Sequence, residues 1–401
     1  MGALKNTIAV FFTIFIFSNF IVFGFLKGIL PIAPIYSLIG ILVITLPIAL
    51  SSENFEPFIN NKLTAWLFFY ILISIAYGIY GYFSGIDLIY IQEKVTELLK
   101  ISITILITLF VVNSKEQLRL VVKTLTILIC VGVLFIFLDV FNPLMFSDLI
   151  GRGSGMYLNA NYAATMLLMG LIFIKDRITD KNFFLLLVIA GAGIVATFSR
   201  FGIFFFLIYL VFIFRNSIKS IILILFLFFF LTTLFLKYVE SILPSFVNID
   251  ELIFDRFSFL EFGNETASED FSADQRSELF GLAIEDFLKS PFLGGGLGRH
   301  LSQALSEYDF QLAHNTYIGL LVDYGFLGVS FVPLLLYSIY ANRPGNRDSR
   351  FIIFVVLILI NGFFSHNLLD HYGFVFFYAL FAAEFYFEAK DDLFKEVEVL
   401  K

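Results

Sequence analysis

Cysteine is all but absent from this chain. The single thiol, Cys130, lies inside an apolar run, so no intrachain disulfide can form and no Cys/His metal cluster can be assembled. Charge is scarce too, at 15% of 401 residues, and the net charge of −7 gives no basis for a nucleic-acid partner. The first apolar run is followed by Phe25-Leu26-Lys27-Gly28 and lacks a small-residue cleavage site, which marks a retained helix and not a signal peptide. No internal repeat of useful length is visible.

What fills the chain instead is apolar. Hydrophobic residues make up 59%, 55 of the residues are Phe, and the mean hydropathy is +0.91. Runs of about 20 such residues are what a ~30 Å hydrocarbon core demands, so the expected fold is an all-α polytopic membrane protein. About twelve spans can be drawn, near 7–26, 30–50, 63–82, 98–112, 118–141, 161–174, 183–198, 201–214, 218–238, 316–340, 351–364 and 369–387. The fourth, sixth, seventh, eighth and eleventh are short for a full crossing. The organisation expected is helices 1–9 in 1–238, one large external loop with a short amphipathic helix in 239–313, and helices 10–12 with a cytoplasmic tail in 314–401.

Lys and Arg set the orientation. With a cytoplasmic N-terminus, sixteen basic residues fall on inner loops and ends, among them Lys62, Lys115, Arg215, Arg343 and Arg350. The short outer loops hold five: Lys27, Lys94, Lys100, Arg152 and Arg200. That is a positive-inside bias, and it places the long loop on the external face.

Within the loop, Ser272-Ala-Asp-Gln275 reads as a capping box, Lys289 closes a helix and Pro291 stops it. Leu279, Phe280, Ala283, Ile284, Phe287 and Leu288 form its apolar stripe, and Arg276 shares that face. An inward arginine needs an anion. One reading pairs Arg276 with a loop carboxylate such as Asp255, Glu261 or Asp270; the other makes it a phosphate clamp, since a guanidinium fork matches phosphate oxygens. Arg299 favours the clamp, because it follows Gly294-Gly295-Gly296-Leu297-Gly298, where backbone N–H groups could approach a diphosphate. Alone, a glycine-rich turn is a weak signal and more often just a bend.

Two outer junctions raise the same question. Arg200, in Thr197-Phe198-Ser199-Arg200, either snorkels to headgroups or meets an anion. Arg152 lies beside Asn159 and Asn161, two amides suited to sugar hydroxyls and equally to turns and helix caps. His314 opens the tenth span, where the positive end of the helix dipole keeps the imidazole neutral and available as a base. A satisfied structural histidine is the plain alternative.

The order Ser199-Arg200, Arg276, Pro291-Phe-Leu-Gly-Gly-Gly-Leu-Gly298, His314-Asn315-Thr316-Tyr317 and Asp323-Tyr324-Gly325-Phe326-Leu327-Gly328 resembles the signature of the O-antigen ligase and polymerase superfamily, closely over 198–328 and elsewhere by hydropathy alone. Asp323 stands where members often carry Glu. The resemblance implies a lipid-phosphosugar (GT-C-like) glycosyltransferase in the bacterial cytoplasmic (inner) membrane. Its active site would face the periplasm, and it would work without metal or other cofactor. The donor would be an undecaprenyl-diphosphate-linked glycan and the acceptor a lipid-linked glycan or lipid A-core, with membrane lipids and a polysaccharide chain-length regulator as further partners. Carried over, Arg200, Arg276 and Arg299 hold diphosphate and His314 is the base, with His300 a second candidate; Arg152, Asn159, Asn161, His300, Asn315 and Tyr317 would contact substrate.

Three functions separate on the acceptor or on the reaction. A polymerase extends another undecaprenyl-linked unit, a ligase delivers finished chain to lipid A-core, and a transporter moves the lipid-linked glycan without forming a bond. The His-Asn-Thr-Tyr wording and single compact loop lean to the polymerase. Charges gathered at one face, with no paired repeats, argue against transport.

Overall fold

The computed structural model describes residues 2–50, 55, 58–142, 145–146, 152–216, 219, 222, 271–302, 315–343, 348–365 and 367–399, without the side chains of 48–49, 271–278 and 390–399. The expected ninth span, most of the long loop, His314 and the Arg276 side chain lie outside the described residues. The described residues form helices and no strand. In order these are α1 Gly2–Phe17, α2 Phe20–Leu26, α3 Pro34–Ala49, α4 Lys62–Phe83, α5 Leu88–Val111, α6 Lys115–Phe141, α7 Ala160–Ile174, α8 Asp180–Ala196, α9 Arg200–Ile213, α10 Phe271–Lys289, α11 Thr316–Tyr324, α12 Phe326–Val329, α13 Phe331–Tyr340, α14 Ser349–Asn361 and α15 Tyr372–Val399.

Among the described residues, α4 and α6 are long and apolar enough to cross a bilayer, and α1 with α2, bent by 58°, would make a third span if continuous. α4 shows why its sequence suits lipid. Small or polar residues Ser74, Gly78 and Gly81 face inward with Leu63, Leu67 and Tyr70, while Phe68, Leu72, Ile75 and Ile79 are exposed. A helix with its greasiest face outward is stable only where the solvent is hydrocarbon.

Two expected spans are corrected. The fourth begins at Leu88, ten residues before the expected start, because Asp87 caps the helix by accepting from the Ile89 N–H at 3.0 Å. The tenth is broken into α11, α12 and α13. Gly325, at φ +61°, ends α11, and its N–H satisfies Leu321 O while the Phe326 N–H turns to Pro291 O.

The chain folds as two compact units. The first comprises Met1–Ile16, Gly24–Thr124 and Phe271–Lys401; the second, Phe17–Phe23 and Leu125–Asp270. Inside the first unit, the helix ends assigned to one side of the membrane by charge are joined together. At the expected inner ends, the Asn61 amide donates to Ala382 O, Asn342 donates to Asn61, and Arg350 pairs with Asp348 and Glu384. At the expected outer ends, the Leu297 N–H donates to Tyr77 O of α4, and the Thr316 N–H to Gly362 O and Ser365 O beyond α14.

Candidate functional site

The glycine run does something other than the expected cradling of phosphate. Its N–H groups are already committed: Gly294 to Ser290 O, Gly295 to Val322 O, Gly296 to Asp323 O and Leu297 to Tyr77 O, at 2.8–3.0 Å. Glycine is required because the backbone passes others closely. A Cβ on Gly296, at φ +100°, would lie 2.4 Å from Gly81 Cα, and one on Gly294 would lie 2.5 Å from Asp323 O. The run is therefore a strap that lays residues 294–298 across α4 and the end of α11.

What the strap positions is His300. Its backbone N–H donates to Asp323 Oδ1 at 3.0 Å, and Nδ1 lies 2.8 Å from Asp323 Oδ2. The two contacts to one buried carboxylate fix the orientation of the ring. His300 lines a pocket whose other polar walls are Lys94 and Glu97 of α5, Asp323 of α11 and Asp370 before α15. Lys94 and Glu97 form an ion pair, and the Asp370 carboxyl meets Glu97. Tyr70 and Tyr324 line the pocket as well, the latter fixed by a 2.8 Å bond to Ser74.

Arg299, one residue earlier, points elsewhere. Its Nε and Nη2 form a bidentate pair with Asp286 of α10 at 2.7 and 2.9 Å, so that side of the fork is used within the protein. The amphipathic expectation for α10 holds in part. Leu279 and Ala283 are buried and Ile284 and Phe287 pack toward Ile318 and Val322, but Phe280 and Leu288 are exposed. Burial alone would raise the Asp286 carboxyl; hydrogen bonds and charge from Arg299, with Lys289 behind, hold it below the usual carboxylate value. The same bonds raise the Arg299 guanidinium. A carboxyl lowered on folding stabilises above its unfolded value and ceases to as pH falls through its folded one. Asp286→Asn should therefore lower the thermal midpoint at neutral pH and have little effect in strong acid, as a pH series of melting curves would read.

Position 314 and the Arg276 side chain lie outside the described residues, but the neighbours of 314 are clear. Asn315 caps α11, its Oδ1 accepting from the Tyr317 and Ile318 N–H groups at 3.0 and 3.2 Å. Tyr317 donates to Leu359 O at 2.8 Å and stacks near Phe363. In the structure both serve the helix and its packing.

The second unit gathers the other expected residues at one end. Asp139 of α6, buried, accepts from the Phe146, Ser154 and Gly155 N–H groups and from the Ser154 hydroxyl, which fixes the turn that carries Arg152. Asn161 Oδ1 accepts from Arg152 Nη2 at 2.9 Å and from Ser199 Oγ at 2.8 Å, and Ser199 caps α9, whose first residue is the exposed Arg200. Asn159 caps α7. The cap reading holds for Asn159, and Arg152, Asn161 and Ser199 form one network.

Sequence reasoning missed Lys94, Glu97 and Asp370 as site residues. The available signal was ionisable residues at the edge of apolar runs, where bilayer energetics make them costly unless they serve a purpose.

Residues 185–332 match the O-antigen ligase family model. The match is consistent with the O-antigen ligase and polymerase superfamily, and the matched stretch contains Arg200, Arg276, Arg299, His300 and His314. The match indicates function of the O-antigen ligase or polymerase type, that of a glycosyltransferase-like enzyme, and with the apolar helices an integral membrane protein. No curated protein matches the chain.

Proposed function

We propose that this protein is an O-antigen-type polysaccharide polymerase. It would transfer glycan from an undecaprenyl-diphosphate carrier to a sugar hydroxyl of another lipid-linked repeat unit, at the outer face of the cytoplasmic membrane. The observation that carries the reading is the match of 185–332 to the O-antigen ligase family model, a stretch that holds Arg200, Arg276, Arg299 and His314. The acceptor oxygen attacks the anomeric carbon opposite the diphosphate, the bond from that carbon to the diphosphate oxygen breaks, and configuration inverts. The leaving group needs charge stabilisation and the hydroxyl needs a base; neither requires a metal.

Arg200 and Arg276 are assigned to the diphosphate and His314 to the hydroxyl proton. Arg299, whose fork spans Asp286, acts as a positioning residue that holds α10, and with it Arg276, in place. The Arg152–Asn161–Ser199 network sets the base of Arg200. A chain-length regulator would act on the same growing chain.

Topology and product test the reading together. A reporter within 263–271 should read as external and one within 344–348 as cytoplasmic. Purified protein given lipid-linked repeat units should build chains on undecaprenyl diphosphate. Transfer only to lipid A-core would make it a ligase, and movement of lipid-linked glycan across vesicles without bond formation would make it a transporter. Cytoplasmic readout from 263–271 would remove the site assignment.

A further inference from the structure

The pocket around His300 differs in charge from everything proposed to hold diphosphate. Glu97, Asp323 and Asp370 face one ammonium, Lys94, and one imidazole, His300. Three carboxyl groups set against one ammonium and one imidazole leave no excess of positive charge for a diphosphate to pair with. What such walls attract is a hydrogen-bond donor. Asp370 Oδ1 is buried and accepts no hydrogen bond from the described residues. His300 turns Nδ1 to Asp323, and its Nε2 makes no hydrogen bond with the described residues. Tyr70 and Tyr324 add aromatic surface to the same wall.

We infer that this pocket is the acceptor subsite, where hydroxyl groups of a saccharide donate to Asp370 and to His300 Nε2. The inference rests on the transferase reading and divides that site in two: cationic residues take the leaving group, and the acidic pocket takes the incoming sugar. Thr316 of α11 lines the pocket too. Asp323 is a positioning residue that fixes the orientation of His300. Lys94 pairs with Glu97 at the same wall.

Two variants probe the pocket without relying on one fold effect. Asp370→Asn keeps shape while turning an acceptor oxygen into a donor or leaving it neutral. Gly319→Ala adds a methyl 3.6–3.8 Å from the His300 ring, an ordinary contact, in a helix that favours alanine, and so narrows the pocket without strain. The probes are the repeat-unit oligosaccharide released by mild acid from the source cell's own surface polysaccharide, and undecaprenyl diphosphate. Each is measured by native mass spectrometry on the full chain, with melting curves as the fold control. Both variants should weaken oligosaccharide binding by about tenfold, Asp370→Asn by replacing a hydrogen-bonding carboxyl and Gly319→Ala by narrowing the pocket. Undecaprenyl diphosphate should bind within about twofold of wild type, as expected for a ligand that makes no contact there. Unchanged oligosaccharide binding, a wild type that binds none, or an equal loss of undecaprenyl diphosphate would overturn the assignment. A wild type that binds the saccharide as described, loses it in both variants and yet forms no glycosidic bond would instead sink the transferase reading and leave the subsite standing.

Discussion

His314→Ala is expected to reduce glycan transfer by roughly 100-fold or more, the size of a lost general base, while undecaprenyl-diphosphate binding stays near the wild-type level. The position directly precedes Asn315, whose side chain caps α11. A base preceding a helix N-terminus is expected to feel the positive end of its dipole, which favours neutral imidazole. Nothing about the role requires contact with diphosphate, so a rate effect without a donor-affinity effect is its mark. Rates and donor affinities measured separately on purified protein decide the matter. Should His314→Ala keep its full rate, the base moves to His300, whose Nδ1 lies 2.8 Å from Asp323 Oδ2, or to a carboxylate such as Asp323 itself. His300→Gln would then carry the rate loss, with Asp323→Asn following it through misplacement of the ring.

Much of this site is legible from local rules, and the limit is physical. Caps and turns depend on residues a few positions apart, so the cap alternative stated for Asn159 reads correctly from sequence, as does the helix ending at Lys289. Ion pairs between elements do not. Arg299 finds Asp286, thirteen residues away on another face of the fold, and Asp370 meets Glu97 across most of the chain. Composition marks such residues as costly near lipid without naming their partners. The glycine run shows the same limit differently. Its sequence allows either an anion cradle or a close backbone crossing, and only the positions of Gly81, Asp323 and Gly325 select the crossing. The tenth span looks continuous by hydropathy because Gly325 costs a window average almost nothing, yet it ends a helix where α11 must meet the strap.

Arg276→Lys should fail nearly as completely as Arg276→Ala, at a cost of about 2 kcal/mol or more in transition-state stabilisation. A lysine keeps the charge and loses the planar fork that spans two phosphate oxygens, so a large effect from this substitution reports bidentate contact and not charge alone. Arg299 provides the comparison. Its fork is engaged by Asp286 with Nε and Nη2, and its substitution by lysine should act through α10. The expected result is a lower melting temperature and a partial loss of rate that an added anchor for α10 would recover. Arg276→Lys should instead leave melting unchanged, weaken undecaprenyl-diphosphate binding and slow transfer together. If Arg276→Lys makes chains at the wild-type rate, Arg276 is holding a carboxylate of the loop, and Arg200 remains as the diphosphate contact.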